Sequence, residues 1–491
     1  MSVLAIDAGT TGVTALVVGR DGMVVARGYQ EFTQYFPNDG WVEHDPDQIW
    51  QAVLAAVRQA VADTDDAPTA LGLTNQRETV VFWDRQTLGA PRRAIVWQDR
   101  RTAGICEQLR ANGVEPQVQA TTGLRLDPYF SASKIAWVRR HDAGTWAGIE
   151  SGQVAIGTVD SYLVARLTGG ARHLTDASNA SRTLLFDLAT GDWSPTMCEL
   201  FEVPKSALPQ ITASWGVVGR TDPASFLGLD LPIAGIAGDQ QAALFGQTCF
   251  QSGDTKCTYG TGSFVLTNTG SRVVESTSGL LSTVAWRAPD GQLTYALEGA
   301  VFVTGAAVQW LRDGLGILAD AAESEALGRS VPDSAGVVFV PALTGLGAPD
   351  WDPYARGAIL GITRATTAAH IARATLEAIA FEVRDVATLI VREAELSLTA
   401  LRVDGGASAN NLLCQLQADQ LQIPVSRPEV VETTALGAAF LAGLGARVWA
   451  DSDELRHTWR LDAEFAPRPV DESGYQRWRR GVERAKGWAD G

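Results

Sequence analysis

At 491 residues the chain is long enough for two large domains or three ordinary ones, each with a substantial core. Its 46% hydrophobic and 20% charged content is that of an ordinary globular protein, and no apolar run reaches membrane-spanning length, so membrane insertion is not expected. A net charge of −16, from 56 acids against 40 bases, repels nucleic acid and anionic membranes, and the short Arg139-Arg140 and Arg479-Arg480 pairs do not offset it.

The N-terminal segment has no basic leader and reads as a first strand, Val3–Asp7, that ends on an acid. Ala8–Gly12 is a glycine turn, Val13–Val18 a second strand, and Arg20-Asp21-Gly22 a hairpin turn into a third, Val24–Gly28. The same order returns later. Thr255–Tyr259 is a strand, Gly260-Thr261-Gly262 a turn and Phe264–Asn268 a strand; Leu281–Trp286 and Leu293–Leu297 then flank Pro289-Asp290-Gly291. Thr366 is expected to cap an alanine-rich amphipathic helix running to about Ala394. Leu401–Asp404 is a strand ending in Gly405-Gly406, and Asn411–Leu421 a helix. The pattern predicts a duplicated α/β plan, divided between Gly246 and Gly253 into 1–248 and 249–491, with a cleft between the halves where ligands bind. The five cysteines are scattered and without metal-ligand spacing, which points to buried thiols in a reducing, cytoplasmic setting. The five histidines have no ligand spacing either.

Three loops put small residues directly after a strand: Asp7–Gly12, Tyr259–Gly262 and Asp404–Asn410. Glycine lets the backbone approach a ligand, hydroxyl side chains add donors, and successive N–H groups form a concavity for anions. Each loop alone reads as an ordinary turn. Together, in two halves, with Asp7 placed to hold hydrated Mg²⁺, they point to a polyanionic ligand held by backbone and metal rather than by lysines. No Walker-type loop and no protein-kinase signature is present.

The stretches Asp7–Thr11, Thr74–Glu78, Trp97–Arg101, Gly235–Gly246, Thr258–Phe264, Glu298–Trp310, Gly345–Gly357, Gly357–Glu377 and Asp404–Asn411 resemble, in this order, the FGGY sugar-kinase family. The likeness extends from Ile6 to about Trp488 and is strongest to the glycerol-phosphorylating branch. It implies two actin-like (ribonuclease H-like) ATPase domains around a cleft. The first would carry the polyol site, first phosphate loop and catalytic acid; the second, the nucleotide site. It also implies transfer from Mg-ATP to a terminal glycerol hydroxyl and a homo-oligomer, dimer or tetramer. By resemblance Arg77, Glu78, Tyr129, Asp239 and Gln240 contact the polyol, and Trp97 and Phe264 wall its carbons. Asp239 is the expected general base and, with Asp7, the expected metal site. Thr10, Thr11 and Gly12 would meet the phosphates from one side, Thr261 and Gly262 from the other. Gly305, Gln309, Gly406 and Asn410 would line the nucleotide's other end.

Each residue also has a plainer reading: Arg77–Glu78 as a surface pair, Trp97 and Phe264 as core, Tyr129 as the closure of a turn, Asp239 as the cap of a helix beginning at Gln240. Two broader alternatives stand beside the main one. One is a kinase of the same family for xylulose, gluconate or erythritol; the other is a non-enzymatic actin-like ATPase.

The chain departs from the family pattern in places. Gly12-Val13-Thr14 stands where several members have an arginine, so one phosphate contact is expected to be missing or replaced. Some members bind fructose 1,6-bisphosphate through a glycine- and base-rich loop before the Gly-Asp-Gln motif; here Asp222–Asp230 is acidic and apolar. Others carry an activating phosphohistidine, but no histidine lies between His173 and His370. Assays across micromolar to millimolar fructose 1,6-bisphosphate should show unchanged activity; inhibition in the micromolar range would refute this reading.

Overall fold

The computed structural model describes residues 1–489. Two large sheets organise it, and their strands are numbered here in chain order. The first contains β1 (Ser2–Ala8), β2 (Gly12–Gly19), β3 (Val24–Glu31), β4 (Pro68–Asn75), β5 (Trp215–Arg220) and β6 (Pro232–Gly238). Their order is β5-β6-β4-β1-β2-β3. β1, β2 and β3 form an antiparallel meander, β4 and β6 run parallel to β1, and β5 is an antiparallel edge.

The second sheet contains β7 (Thr255–Tyr259), β8 (Ser263–Gly270), β9 (Leu281–Arg287), β10 (Leu293–Val301), β11 (Leu401–Asp404), β12 (Val425–Pro428) and β13 (Leu461–Phe465). It is ordered β9-β10-β8-β7-β11-β12-β13. The duplication is therefore real, with one refinement. β10 pairs with β8 and takes the place that β3 holds in the first sheet, while β9 is an extra strand on the outside.

The apolar strand cores explain why these sheets are covered on both faces. Leu4, Ile6, Val13, Ala15 and Val17 pack under α1 (Pro46–Ala62), and Val3, Ala5, Leu16 and Val18 face the opposite side. α1 starts at the Asp45 cap with Pro46 in its first turn, and it buries Ile49, Val53, Ala56, Val57 and Ala60 at helical spacing.

Four more helices matter to the site: α2 (Asp239–Gly246), α3 (Gly305–Asp313), α4 (Ala368–Ala394) and α5 (Asn411–Leu421). The cap of α4 is Thr367 rather than Thr366. Thr367 and His370 form a reciprocal capping box, and the Thr366 hydroxyl instead accepts the Thr363 N–H at 2.9 Å. All five cysteines are buried and unpaired with one another. No described helix is long and apolar enough to cross a membrane.

A late helix, α6 (Thr433–Gly445), lies far beyond residue 249 yet packs on the first sheet and on α2, within one core containing Ala237, Ala242, Phe245, Ala438 and Ala442. Glycine makes the approach possible. A Cβ on Gly437 would fall well inside van der Waals contact of the Ala242 carbonyl, and one on Gly246 would do the same at Thr433. Since α2 begins at Asp239, the seating of α6 fixes where that carboxylate stands. Gly437→Ala should overpack this contact and cost about 1–3 kcal/mol, read as a Tm lower by several degrees in calorimetry. An unchanged Tm would show that the two helices separate freely.

Candidate active site

Between the two sheets lies a cavity of about 560 Å³ lined from both halves. The first half supplies Thr10, Arg77, Glu78, Trp97, Tyr129 and Asp239; the second supplies Thr261, Gly262, Phe264, Val301, Phe302 and Ala306, among others. Nine of the residues expected to bind ligands thus share one chamber. The parallel pairing of β1 with β4 sets Asp7 beside Thr74, so the first loop adjoins the Asn75–Glu78 turn. In the second sheet the pairing of Thr258 with Asp404 sets the other two loops side by side.

The charges at the base of the cavity are almost fully buried. Arg77 is 2% exposed and Glu78 1%, so they are not a surface pair. Glu78 adopts φ of 60°, the left-handed region that a non-glycine residue enters only when its surroundings compel it. Its carboxylate accepts from Arg182 Nε at 2.7 Å. The two Nη groups of Arg77 donate to the two oxygens of Glu298 at 2.6 and 3.0 Å, and Arg182 Nη2 reaches the same carboxylate at 3.1 Å. The two guanidinium groups hold Glu298 at about 2, well below the usual carboxylate range, despite burial that pushes the other way.

Asp239 stands at the rim of this cluster, with 27% of its side chain exposed. It is the first residue of α2, with Gly238 as the cap, rather than a cap before Gln240. Its Oδ1 accepts the Gln240 N–H at 2.7 Å and lies 3.1 Å from Arg77 Nε. Burial raises its carboxyl, and Arg77 opposes the rise. A buried network behind it holds the helix start. The Gly238 N–H donates to Ser178 Oγ, which donates to Asp176, and Asp176 also accepts from Asn179 and Ser214.

Trp97 donates from Nε1 to Thr10 Oγ1 at 3.0 Å and meets Tyr129 edge-on at 5.6 Å between ring centres. Trp97 and Phe264 are half-buried walls of the cavity rather than core. Tyr129 serves both readings. Its N–H closes the turn on Asp127 at 2.8 Å, and its hydroxyl lies 3.5 Å from Arg77 Nη2.

Other expected residues lie off the cavity. The Gln240 side-chain oxygen accepts from the buried Lys256 Nζ. Both ends of the Asn410 amide are engaged: it accepts the Leu413 N–H at 2.9 Å, capping α5, and donates to Ser324 at 3.2 Å. Thr11, Gln309 and Gly406 are exposed; Gly12 is buried at the start of β2. Gly305 packs on the second loop, its N–H on the Gly260 carbonyl at 3.0 Å. None of these residues lines the cavity. Glu298, Arg182 and Lys256 escaped the sequence reading. Only Glu298 carried a signal, a lone charge inside an apolar run, which seldom stays buried without a partner; Arg182 and Lys256 sit among polar neighbours.

The acids fit a divalent cation. Asp7 Oδ1 is buried with no hydrogen-bond partner, and burial together with the Asp239 charge pushes the Asp7 carboxyl up to about 7, as expected where positive charge is wanted. Among the described residues no group of three His, Cys, Asp or Glu side chains could form a protein-only metal cage. A hydrated Mg²⁺ resting on one or two carboxylates needs none.

The FGGY family of carbohydrate kinases matches this chain through its N-terminal domain over residues 2–246 and through its C-terminal domain over 255–446. The chain belongs to this family. Among relatives, a glycerol kinase of Aromatoleum aromaticum is 53% identical over 491 residues, 99% of each chain. Glycerol kinase 2 of Thermotoga maritima is 50% identical, again over 99% of each. A crystal structure of Plasmodium falciparum glycerol kinase with ADP superposes with a TM-score of 0.90 at 34% identity, covering 99% of this chain and 98% of that one. The fold is thus the two-domain fold of the family, and the chain is a kinase.

Gln76 links the family's first loop to the charged turn: its amide donates to the Gly9 carbonyl at 2.9 Å and accepts from Thr79 at 2.8 Å. Behind it His44 is buried, Nδ1 3.3 Å from the same amide and Nε2 unpartnered, and burial lowers its pKa from 6.5 to about 4. The unfolded chain therefore binds a proton near pH 6.5 that the folded one refuses until about 4. The resulting stability is complete above that window and is lost as pH falls through it. His44→Gln should show a shallower fall of Tm with pH from 6.5 to 4.5 in scanning calorimetry; parallel curves would contradict this.

Proposed function

We propose that this kinase transfers the γ-phosphoryl group of Mg-ATP to a terminal hydroxyl of glycerol, giving glycerol 3-phosphate and ADP. The observation that carries the proposal is the cavity itself. Arg77, Glu78, Tyr129 and Asp239 converge at one end while Trp97 and Phe264 wall the space beside them. A three-carbon polyol offers only hydroxyls and a short carbon chain, so its site must pair each hydroxyl and cover the carbons with apolar rings. A site of this kind rejects substrates that leave its polar groups unpaired. The relatives named as glycerol kinases support the choice of glycerol over larger sugars.

Phosphoryl transfer needs in-line placement and stabilisation of charge on the γ-phosphoryl oxygens more than covalent help from the protein. Asp239 is positioned to accept the proton of the attacking hydroxyl, whose oxygen then bonds to phosphorus as the bond to the β-phosphate oxygen breaks. Arg77 beside it keeps the carboxylate charged and oriented until that moment. Mg²⁺, held by Asp7 and Asp239 through its water shell, would neutralise charge on the phosphates. Thr10, Thr11 and Gly12 face the phosphates from the first half, Thr261 and Gly262 from the second. Binding of the triphosphate to both sides then draws the cleft shut and excludes water from the reacting oxygen. Gln240, engaged with Lys256, serves in this scheme as support for the start of α2. A cytoplasmic homo-oligomer completes the proposal.

Asp239→Asn should lower the rate of glycerol-dependent ADP release by about 10²–10⁴-fold while binding ADP as the wild type does, measured by a coupled assay and by calorimetry. Retention of wild-type turnover in that variant, or a preference for xylulose, gluconate or erythritol in a substrate panel, would overturn the assignment.

A further inference from the structure

Glu298 belongs to the second sheet, yet its carboxylate is spent on the first half of the molecule. It sits mid-strand in β10, paired with Leu266 of β8 and Leu281 of β9, and is 0% exposed. Its partners are Arg77, just past β4, and Arg182, which follows the turn held by Asp176. A fork-to-fork pair of this kind fixes direction as well as distance, because both Nη groups must face both oxygens. With Nη1 also donating to Gln241 at 3.2 Å and Nε facing Asp239 at 3.1 Å, Glu298 decides the plane in which Arg77 presents itself to the cavity.

The same strand serves the phosphate side. Val301, three residues further along β10, pairs with Ser263 directly after the second loop. The chain then continues into Thr304, whose N–H donates to the Thr261 carbonyl at 2.8 Å, and into α3. Glu298 and the second phosphate loop therefore move as one body, and Arg77 is tied to that body from across the cleft.

We infer that Glu298 is a positioning residue that couples the polyol pocket to the nucleotide side of the cleft: by gripping Arg77 and Arg182 it makes polyol binding depend on where the second half stands. This rests on the glycerol-kinase reading. With Glu298 neutralised, Arg77 and Arg182 share only Glu78 and Asp239, so Arg77 swings toward Asp239 and leaves the orientation that meets a hydroxyl. The polyol then binds poorly and no longer tells the nucleotide half that the pocket is filled.

The test measures glycerol KM and kcat, and the affinity for ADP with and without saturating glycerol, in the wild type, Glu298→Gln and Glu298→Asp. The aspartate variant keeps the buried charge count, and with it the fold, but is too short to hold both Nη groups. Both variants are expected to raise glycerol KM by about tenfold or more with a smaller change in kcat. ADP affinity without glycerol should stay within about twofold of wild type, and the change in ADP affinity that glycerol produces should shrink toward none. Wild-type KM and wild-type coupling in Glu298→Asp would overturn the inference, because charge balance alone would then explain the residue. Absence of glycerol-dependent ADP release in the wild type would instead overturn the function on which it rests.

Discussion

A guanidinium taken out of water must recover its hydration from fixed partners, and two of them taken out together must also be kept from repelling each other. That constraint governs the centre of this molecule. Arg77 and Arg182 are buried within one cluster, and only the carboxylates of Glu78, Glu298 and Asp239 make their burial tolerable. Two of those acids come from the first half and one from the second, so the cluster can exist only when both halves are in place. The cleft is in this sense held together by charges at its base and just behind it.

The surrounding structure keeps those five charges in register. β4 ends at Asn75, and the strained backbone at Glu78 turns its carboxylate inward toward Arg182. Asp176 caps the turn that delivers Arg182 and, through Ser178, also holds the N–H before Asp239. Glycines at 246 and 437 bring α6 onto α2 with no side chain between them, so the first residue of α2 cannot drift. Packing, capping and charge pairing act on the same few atoms, which is how the Asp239 carboxylate is kept in place beside Arg77.

Electrostatics also explain how a chain of net charge −16 can receive a polyphosphate. The cavity does not present a bed of lysines. Lys256 is buried and engaged with Gln240 and Thr258, and the two central arginines are paired with carboxylates. In the proposed reaction the anion is left to backbone N–H groups and hydroxyls of the glycine loops and to a cation at the unpartnered Asp7 oxygen. In that proposed reaction, positive charge at this site orients the alcohol and the base, and the phosphate is left to dipoles and metal.

Local patterning was enough to locate the strands of both meanders, the three glycine loops, the helix from Asn411 to Leu421 and the acid at the end of β1, because alternation, glycine turns and capping act over a few residues. The motifs around Arg77, Trp97, Tyr129 and Asp239 were legible through the family resemblance, and the fold brings those four residues to one cavity. What the chain order could not show is which distant side chains meet. Lys256, sixteen residues from Gln240, holds its amide oxygen, and Asn410 caps α5 while holding Ser324 from 86 residues away. Glu298 looks like an isolated acid in a strand until folding sets it against two arginines 221 and 116 residues distant. Backbone preference is a property of neighbours in sequence, whereas the burial and pairing of a charge depend on the whole fold, and only the tertiary structure decides them.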